Sequence, residues 1–198
     1  MKEKPEPDIE IAPLLPHDEG APHINAAPVY GASPGKDFFY AVPVRGEGPL
    51  RFSIKGRLPA GLVFDKEKGW LRGCPMESGE FPVILCAENA LGREEKDFRI
   101  TIGENRICLT PLLGWTSWNA CTMNVTDALI RRNAAALVKK GLAARGYAYV
   151  NIDSCWQGRR DPATKAIQGN EHFPDMKSLV EYIHSLGLKA GIYSTLNP

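Results

Sequence analysis

The chain has 198 residues, 43% of them hydrophobic and 24% charged, an ordinary globular composition sufficient for one large or two small domains. Disordered and fibrous classes are excluded. Lys and Arg total 24 against 23 Asp and Glu, so there is no field of one sign to attract nucleic acid, an anionic membrane or an acidic substrate, and a neutral ligand fits better. The five cysteines, Cys74, Cys86, Cys108, Cys121 and Cys155, form an odd set without CxxC spacing. That argues against a zinc ribbon or a fully paired disulfide framework and for buried thiols in a reducing compartment, with a bridge between Cys121 and Cys155 left open. The amino terminus, MKEKPEPDIE, lacks the apolar core of a secretory signal, and no run approaches membrane-spanning length. The chain as given is expected in the cytoplasm, or outside it if a leader precedes.

Residues 1–25 are charged and broken by prolines at 5, 7, 13, 16 and 22, and read as an extended arm. From 26 to 103, short apolar or alternating runs are separated by Gly and Pro: VYG, FFYAVPV, LRFSIKG, GLVF, GWLRG, FPVILCAEN and KDFRITI. Their spacing predicts a β-sandwich. Arg51, Ser53 and Lys55 alternate with Phe52 and Ile54; Lys96, Arg99 and Thr101 are expected on a wet face opposite Phe98, Ile100 and Ile102. NALG (Asn89–Gly92) reads as a turn with Gly92 free to take positive φ.

Residues 104–198 change texture. LTPLLGWTSWNACT precedes a helix predicted over Asp127–Arg145, its stripe made by Ile130, Ala134, Leu137 and Val138 and its ends marked by Thr126 and Gly146. The run Tyr147–Ile152 has strand composition and ends in Asp153, Ser154, Cys155 and Trp156. A second helix is predicted over Pro174–Ser185, with Pro174 in the first turn and Asp175 complementing the dipole, followed by a strand over Leu188–Ser194. His184 is read as favouring the helix end. The order βαβαβ implies a parallel sheet with right-handed crossovers.

In such sheets ligands bind at the carboxyl ends of the strands. Here those ends carry Trp115 and Trp118, Asp153 to Trp156, and Tyr193 with Ser194. Indole and phenol faces stack on the C–H face of a pyranose, and a short carboxylate accepts two hydroxyl hydrogen bonds, so the set suits a neutral-sugar pocket. Each member also has a plain role: Asp153 as a turn cap, Trp115 and Tyr193 as core. Trp118 and Trp156, flanked by polar residues, fit the core less readily.

Two resemblances sharpen this. The span from PGKDFFYAVPV through LPAGLVFD to AENALG resembles the small immunoglobulin-like domain that precedes the catalytic barrel in some bacterial glycosidases, where it serves as a spacer or docking platform rather than a sugar binder. LTPLLGWTSWN resembles the opening LTPPMGWNSWN of glycoside hydrolase family 27, the alpha-galactosidases, and YVNIDSCW resembles that family's YVNIDDCW. The following stretch, GRRDPATKAIQGNEHFPDMKSLVEYIHSLGLKAGIYS, continues the likeness. The resemblance implies an immunoglobulin-like sandwich followed by the first three strands and two helices of a (β/α)8 TIM barrel. It further implies a retaining hydrolase of terminal alpha-linked galactosyl residues, with no cofactor or metal and a neutral sugar or oligosaccharide as partner.

By the same resemblance Trp118 would stack on the galactosyl ring, Asp153 would hydrogen-bond sugar hydroxyls, Tyr193 would line the pocket, and Ser154 stands where the family has a second acid. The family's nucleophile and acid/base follow its fourth and sixth strands, so no residue here is assigned to catalysis, and the chain alone is expected to be inactive. The alternative is a non-catalytic carbohydrate-binding or partner-binding protein derived from such an enzyme, with self-association through the open barrel edges. Galactose, N-acetylgalactosamine and arabinopyranose remain equal candidates.

Overall fold

The structure, a computed structural model, describes residues 19–194. Most of the expected arm, residues 1–18, and the last four residues lie outside them. The first strands are β1 (His23–Ile24), β2 (Val29–Ala32), β3 (Phe38–Ala41), β4 (Val44–Arg45) and β5 (Arg51–Lys55). They are followed by β6 (Leu62–Asp65), β7 (Trp70–Gly73), β8 (Gly79–Asn89) and β9 (Gly92–Ile102). A four-stranded sheet runs β2-β9-β8-β5 and a three-stranded sheet runs β3-β7-β6. Both contribute to one core, Phe38, Leu62 and Leu71 from the smaller sheet meeting Phe81, Leu85 and Ile100 from the larger. The sandwich expected from the spacing of the runs is therefore present. It begins earlier than the sequence suggested: β1, placed with the arm, pairs with β4, and Ile24 is fully buried.

Two local expectations change. Gly92 does not take a positive φ; the β8–β9 reversal is held by Asn89, whose Oδ1 accepts from the N–H of Leu91 at 2.9 Å and of Gly92 at 3.0 Å. Thr101, expected on the wet face, is buried, whereas its neighbours Phe98, Ile100 and Ile102 are buried as read. The reason is tertiary. Thr101 pairs in register with Gly31, and a Cβ on Gly31 would meet the Arg106 carbonyl and the Leu109 side chain, so the segment leaving the sandwich roofs this part of the outer face. The Thr101 hydroxyl is left without a hydrogen-bond partner among the described residues.

The second half contains β10 (Gly114–Thr116), α1 (Trp118–Cys121), α2 (Asp127–Lys139), β11 (Tyr149–Ile152), the hairpin β12 (Gln157–Arg160) and β13 (Ile167–Gly169), α3 (Met176–Ser185) and β14 (Lys189–Ile192). β10, β11 and β14 form a parallel sheet in that order. Its own core gathers Ile130, Leu137, Val150, Ile152, Leu179 and Ile183. Thr126 caps α2 as expected, its side chain accepting from Leu129 N. The helix is shorter than predicted, because the chain turns after Lys140, passes through a 3-10 turn at Ala143–Arg145 and stops at Gly146 with φ 96°. Pro174 lies before α3 rather than in its first turn, and Asp175 is the N-cap, accepting from Ser178 N.

The two halves meet at the starting ends of the parallel strands. Asn25 Nδ2 donates to the Ala144 carbonyl at 2.9 Å, the rings of Phe39 and His184 lie 6.2 Å apart, and Trp70 packs on the turn at Gly187. His184 thus meets the sandwich as well as ending a helix. Lys189, the first residue of β14, sends its Nζ over Tyr30 at 3.7 Å, Tyr149 at 5.2 Å and Tyr40 at 5.6 Å. No carboxylate pairs with it among the described residues.

Two predictions follow from this packing. A buried hydroxyl without a partner costs about 1–3 kcal/mol. Thr101→Val should therefore stabilise the protein by an amount of that order, read as a higher urea midpoint. Burial lowers the Lys189 pKa to about 7, while an unfolded lysine titrates near ~10.4. Between these values the unfolded chain binds a proton that the folded one does not, so stability should rise with pH above 7, by at most about 1.4 kcal/mol per unit. Below pH 7 both states are protonated and Lys189 contributes no slope. Burial raises the pKa of Tyr30, Tyr40 and Tyr149, which lowers stability once unfolded tyrosines ionise, so the comparison belongs between pH 7 and about 9.5. Denaturant titrations across that window should show the rise in the native chain and a flatter profile in Lys189→Met.

Candidate functional site

Parallel register carries the three strand ends to one side. Ser117 N donates to the Asn151 carbonyl at 3.1 Å, and Tyr193 N donates to the Ile152 carbonyl at 2.9 Å, so the ladder continues past the last strand residues. Asp153 emerges between these two neighbours. Its N–H donates to Ser117 Oγ at 2.9 Å, and its Oδ1 accepts from Ser154 N at 2.7 Å. Its other oxygen has no hydrogen-bond partner among the described residues. Asp153 is half-buried, so one carboxylate oxygen is held and the other can receive a ligand hydroxyl.

The loop after Asp153 is pinned from three directions. Cys155 has φ 74°, a left-handed conformation uncommon for a non-glycine residue. Its N–H donates to Gln157 Oε1 at 3.0 Å, and its carbonyl accepts from Asn170 Nδ2 at 2.8 Å. Asn170 N in turn donates to the Trp156 carbonyl at 2.9 Å. The β12–β13 hairpin thereby fixes the turn that carries Ser154.

The aromatic candidates separate. Trp118 begins α1 and is 42% exposed, and Tyr193 is 48% exposed beyond β14; both are available to a ligand. Trp156, which its polar neighbours set apart from the core, is in fact core: it is 6% exposed and its Nε1 donates to the Tyr193 carbonyl at 2.7 Å. Its part is to hold the Tyr193 backbone beside β11. The sequence reading also passed over Ser117, 1% exposed, whose hydroxyl ties the end of β10 to Asp153. A serine two residues after a tryptophan, at a strand end, gave no signal of its own; only pairing with β11 reveals its use.

The remaining acids near this side have local duties. Asp161 Oδ1 accepts from Ala163 N at 3.0 Å, Thr164 N at 2.7 Å and Thr164 Oγ1 at 2.9 Å, which together hold its carboxyl below the ordinary range. Asp175 caps α3. Glu171 is exposed on the loop after β13. Among the described residues no group of His, Cys, Asp and Glu could hold a metal ion, and all five cysteines, Cys121 and Cys155 included, are free thiols. Burial raises the Cys121 pKa, which favours its neutral form.

Residues 110–197 match the family model described as alpha galactosidase A. The α/β segment is thus similar to alpha-galactosidases. Residues 21–103 match a family model for an Ig domain. Over 90 residues the chain is 47% identical to alpha-galactosidase A of Cellvibrio japonicus, covering 45% of this chain and 22% of that protein. Over 92 residues it is 48% identical to an alpha-galactosidase of Coffea arabica, covering 46% of this chain and 24% of that one. A Bacteroides fragilis structure, solved as a candidate alpha-galactosidase/melibiase, superposes with TM-score 0.83 at 40% identity over 89% of this chain and 38% of its own. That likeness spans the alpha-galactosidase segment and the sandwich together. The chain spans about a quarter of the length of these curated relatives.

In this segment, Ser117→Ala should free the Asp153 amide and cost about 1 kcal/mol, the usual net worth of one hydrogen bond. Faster hydrogen exchange at Asp153 N–H, with exchange at Val150 N–H unchanged, is the expected signature. Equal protection of Asp153 in both proteins would show that the hydroxyl does not hold the strand end.

Proposed function

We propose that this chain is the amino-terminal part of a retaining glycoside hydrolase acting on terminal alpha-linked galactosyl residues, and that Trp118, Asp153, Ser154 and Tyr193 line its sugar subsite. The observation that carries the reading is the shared strand end. The exposed indole of Trp118, the half-held carboxylate of Asp153 and the exposed phenol of Tyr193 follow three neighbouring parallel strands in a segment 40–48% identical to alpha-galactosidases. An aromatic face takes the apolar face of the sugar while the free Asp153 oxygen accepts a hydroxyl proton; neither requires a cofactor. The sheet is read as the first three strands of a (β/α)8 barrel, whose binding loops lie at this end.

Retaining hydrolysis requires two carboxylates about 5–5.5 Å apart, one nucleophilic and one donating a proton. Among the described residues Asp153 is the one carboxylate directly at the three strand ends, and Asp161 and Asp175 are engaged in turn and cap. The 198-residue chain is therefore proposed to bind the sugar without cleaving it. An assay with an aryl alpha-galactoside should give no turnover above background. Sustained turnover that disappears in Asp153→Ala would overturn this division of labour.

Ser154 sets a second test. A hydrogen bond to a charged group is worth about 1.5–3 kcal/mol against about 1 kcal/mol for a neutral one. Ser154→Asp should therefore tighten galactose binding by about tenfold for each ~1.4 kcal/mol gained, and Asp153→Asn should weaken it comparably. Calorimetric titration of galactose and N-acetylgalactosamine into the three proteins is the measurement. Weaker galactose binding in Ser154→Asp would mean that the serine selects another sugar. Unchanged binding of both sugars in both variants would remove these residues from the subsite.

A further inference from the structure

A cavity of about 240 Å³ lies between the sandwich and the α/β segment, at the opposite end of the parallel strands from Asp153. Strands of four residues at ~3.3 Å each separate the two ends by about 13 Å, so this space is no part of the proposed sugar subsite. Its walls come from both halves and from the connection between them, including Tyr30 and Trp70 from the sandwich, Leu109 and Leu112 from the connection, and Tyr149 and Lys189 from the parallel sheet. Among the described residues no Asp, Glu, Arg or His lines it, and the titratable groups facing this space are the Lys189 amine, the Cys108 thiol and the phenols of Tyr30, Tyr40 and Tyr149.

That arrangement is incomplete. Partly burying a cation is costly unless an anion or an equivalent accepts its protons, and the half-buried Lys189 has ring faces on one side and no carboxylate among the described residues on any other. The ring faces attract a cation but offer no hydrogen-bond acceptor of carboxylate strength. A space of 240 Å³ equals about eight water volumes of ~30 Å³, and an apolar cavity of ~150 Å³ is large enough for benzene. The chemistry missing is one negative charge attached to an apolar body the size of a substituted ring.

We propose that the cavity between the two halves binds a small aromatic monocarboxylate, its ring against Trp70, Leu109 and Leu112 and its carboxylate paired with Lys189. Such a ligand touches the sandwich, the connection and the first residue of β14 together, so occupancy fastens the two halves to each other. The site is independent of the sugar subsite and stands or falls without it.

Phenylacetate is the probe, titrated calorimetrically into the 198-residue chain at pH 6.5, with phenylacetamide as its neutral isostere. One equivalent of phenylacetate should bind, at least tenfold more tightly than phenylacetamide. Lys189→Met should lose at least tenfold in phenylacetate affinity and leave phenylacetamide unchanged, while Lys189→Arg should retain the preference for the anion. Circular dichroism of each variant guards against misfolding, and the native chain with its two ligands decides the question even if Lys189→Met does not fold. Equal binding of acid and amide to the native chain, or no phenylacetate binding up to 10 mM (a Kd weaker than about −2.7 kcal/mol of binding free energy), would sink the proposal. Full retention of phenylacetate affinity in a folded Lys189→Met would do the same.

Discussion

The parallel ladder of β10, β11 and β14 sets both ends of the α/β half at once. Because Gly114, Tyr149 and Lys189 share one register level, Asp153 and Tyr193, which follow their strands, share another, with Ser117 one level before them. A slip of one residue would turn every side chain of a strand to the opposite face. It would send Val150 and Ile152 out of the core and Asp153 away from Ser117. The end that carries Asp153 and the sandwich-facing end are thus two consequences of the same backbone pairing.

At the sandwich-facing end, tyrosines from both halves surround one lysine. Tyr30 and Tyr40 come from the sandwich, Tyr149 and Lys189 from the parallel sheet, and the Tyr30 and Phe38 rings meet edge to face at 5.1 Å. Most of this contact is apolar and aromatic, with few charges to be matched, and Gly187 at φ 80° lets the chain leave α3 beneath Trp70 without a side chain in the way. The sandwich accordingly covers the base of the α/β segment.

At the other end the precision comes from polar contacts rather than burial. Ser117, Gln157 and Asn170 each supply a side-chain hydrogen bond to the backbone of residues 153–155, and Trp156 anchors the Tyr193 carbonyl. Holding Cys155 in a left-handed conformation costs free energy, which these bonds offset, and strained positions of this kind gather where a side chain has to be aimed. Ser154 lies in the turn so held, and it is also where this chain departs from the string YVNIDDCW that its YVNIDSCW resembles.

Local chemistry was enough for much of this. Alternation in β9, the stripes of α2 and α3 apart from the exposed Val138, the cap Thr126 and the strand leading to Asp153 all depend on neighbours within a few residues, and periodicity records such neighbours directly. The likeness of residues 109–198 to alpha-galactosidases was equally open to reading, because it lies in short contiguous strings. What sequence could not show were pairings across long separations. Thr101 loses its water to a connection that roofs Gly31, Ile24 joins a core built mostly from later strands, Trp156 is drawn inward by the Tyr193 carbonyl, and Lys189 meets a tyrosine 159 positions earlier. In each case burial or partnership is decided by an element far away in the chain, and no local pattern of polar and apolar residues carries that information.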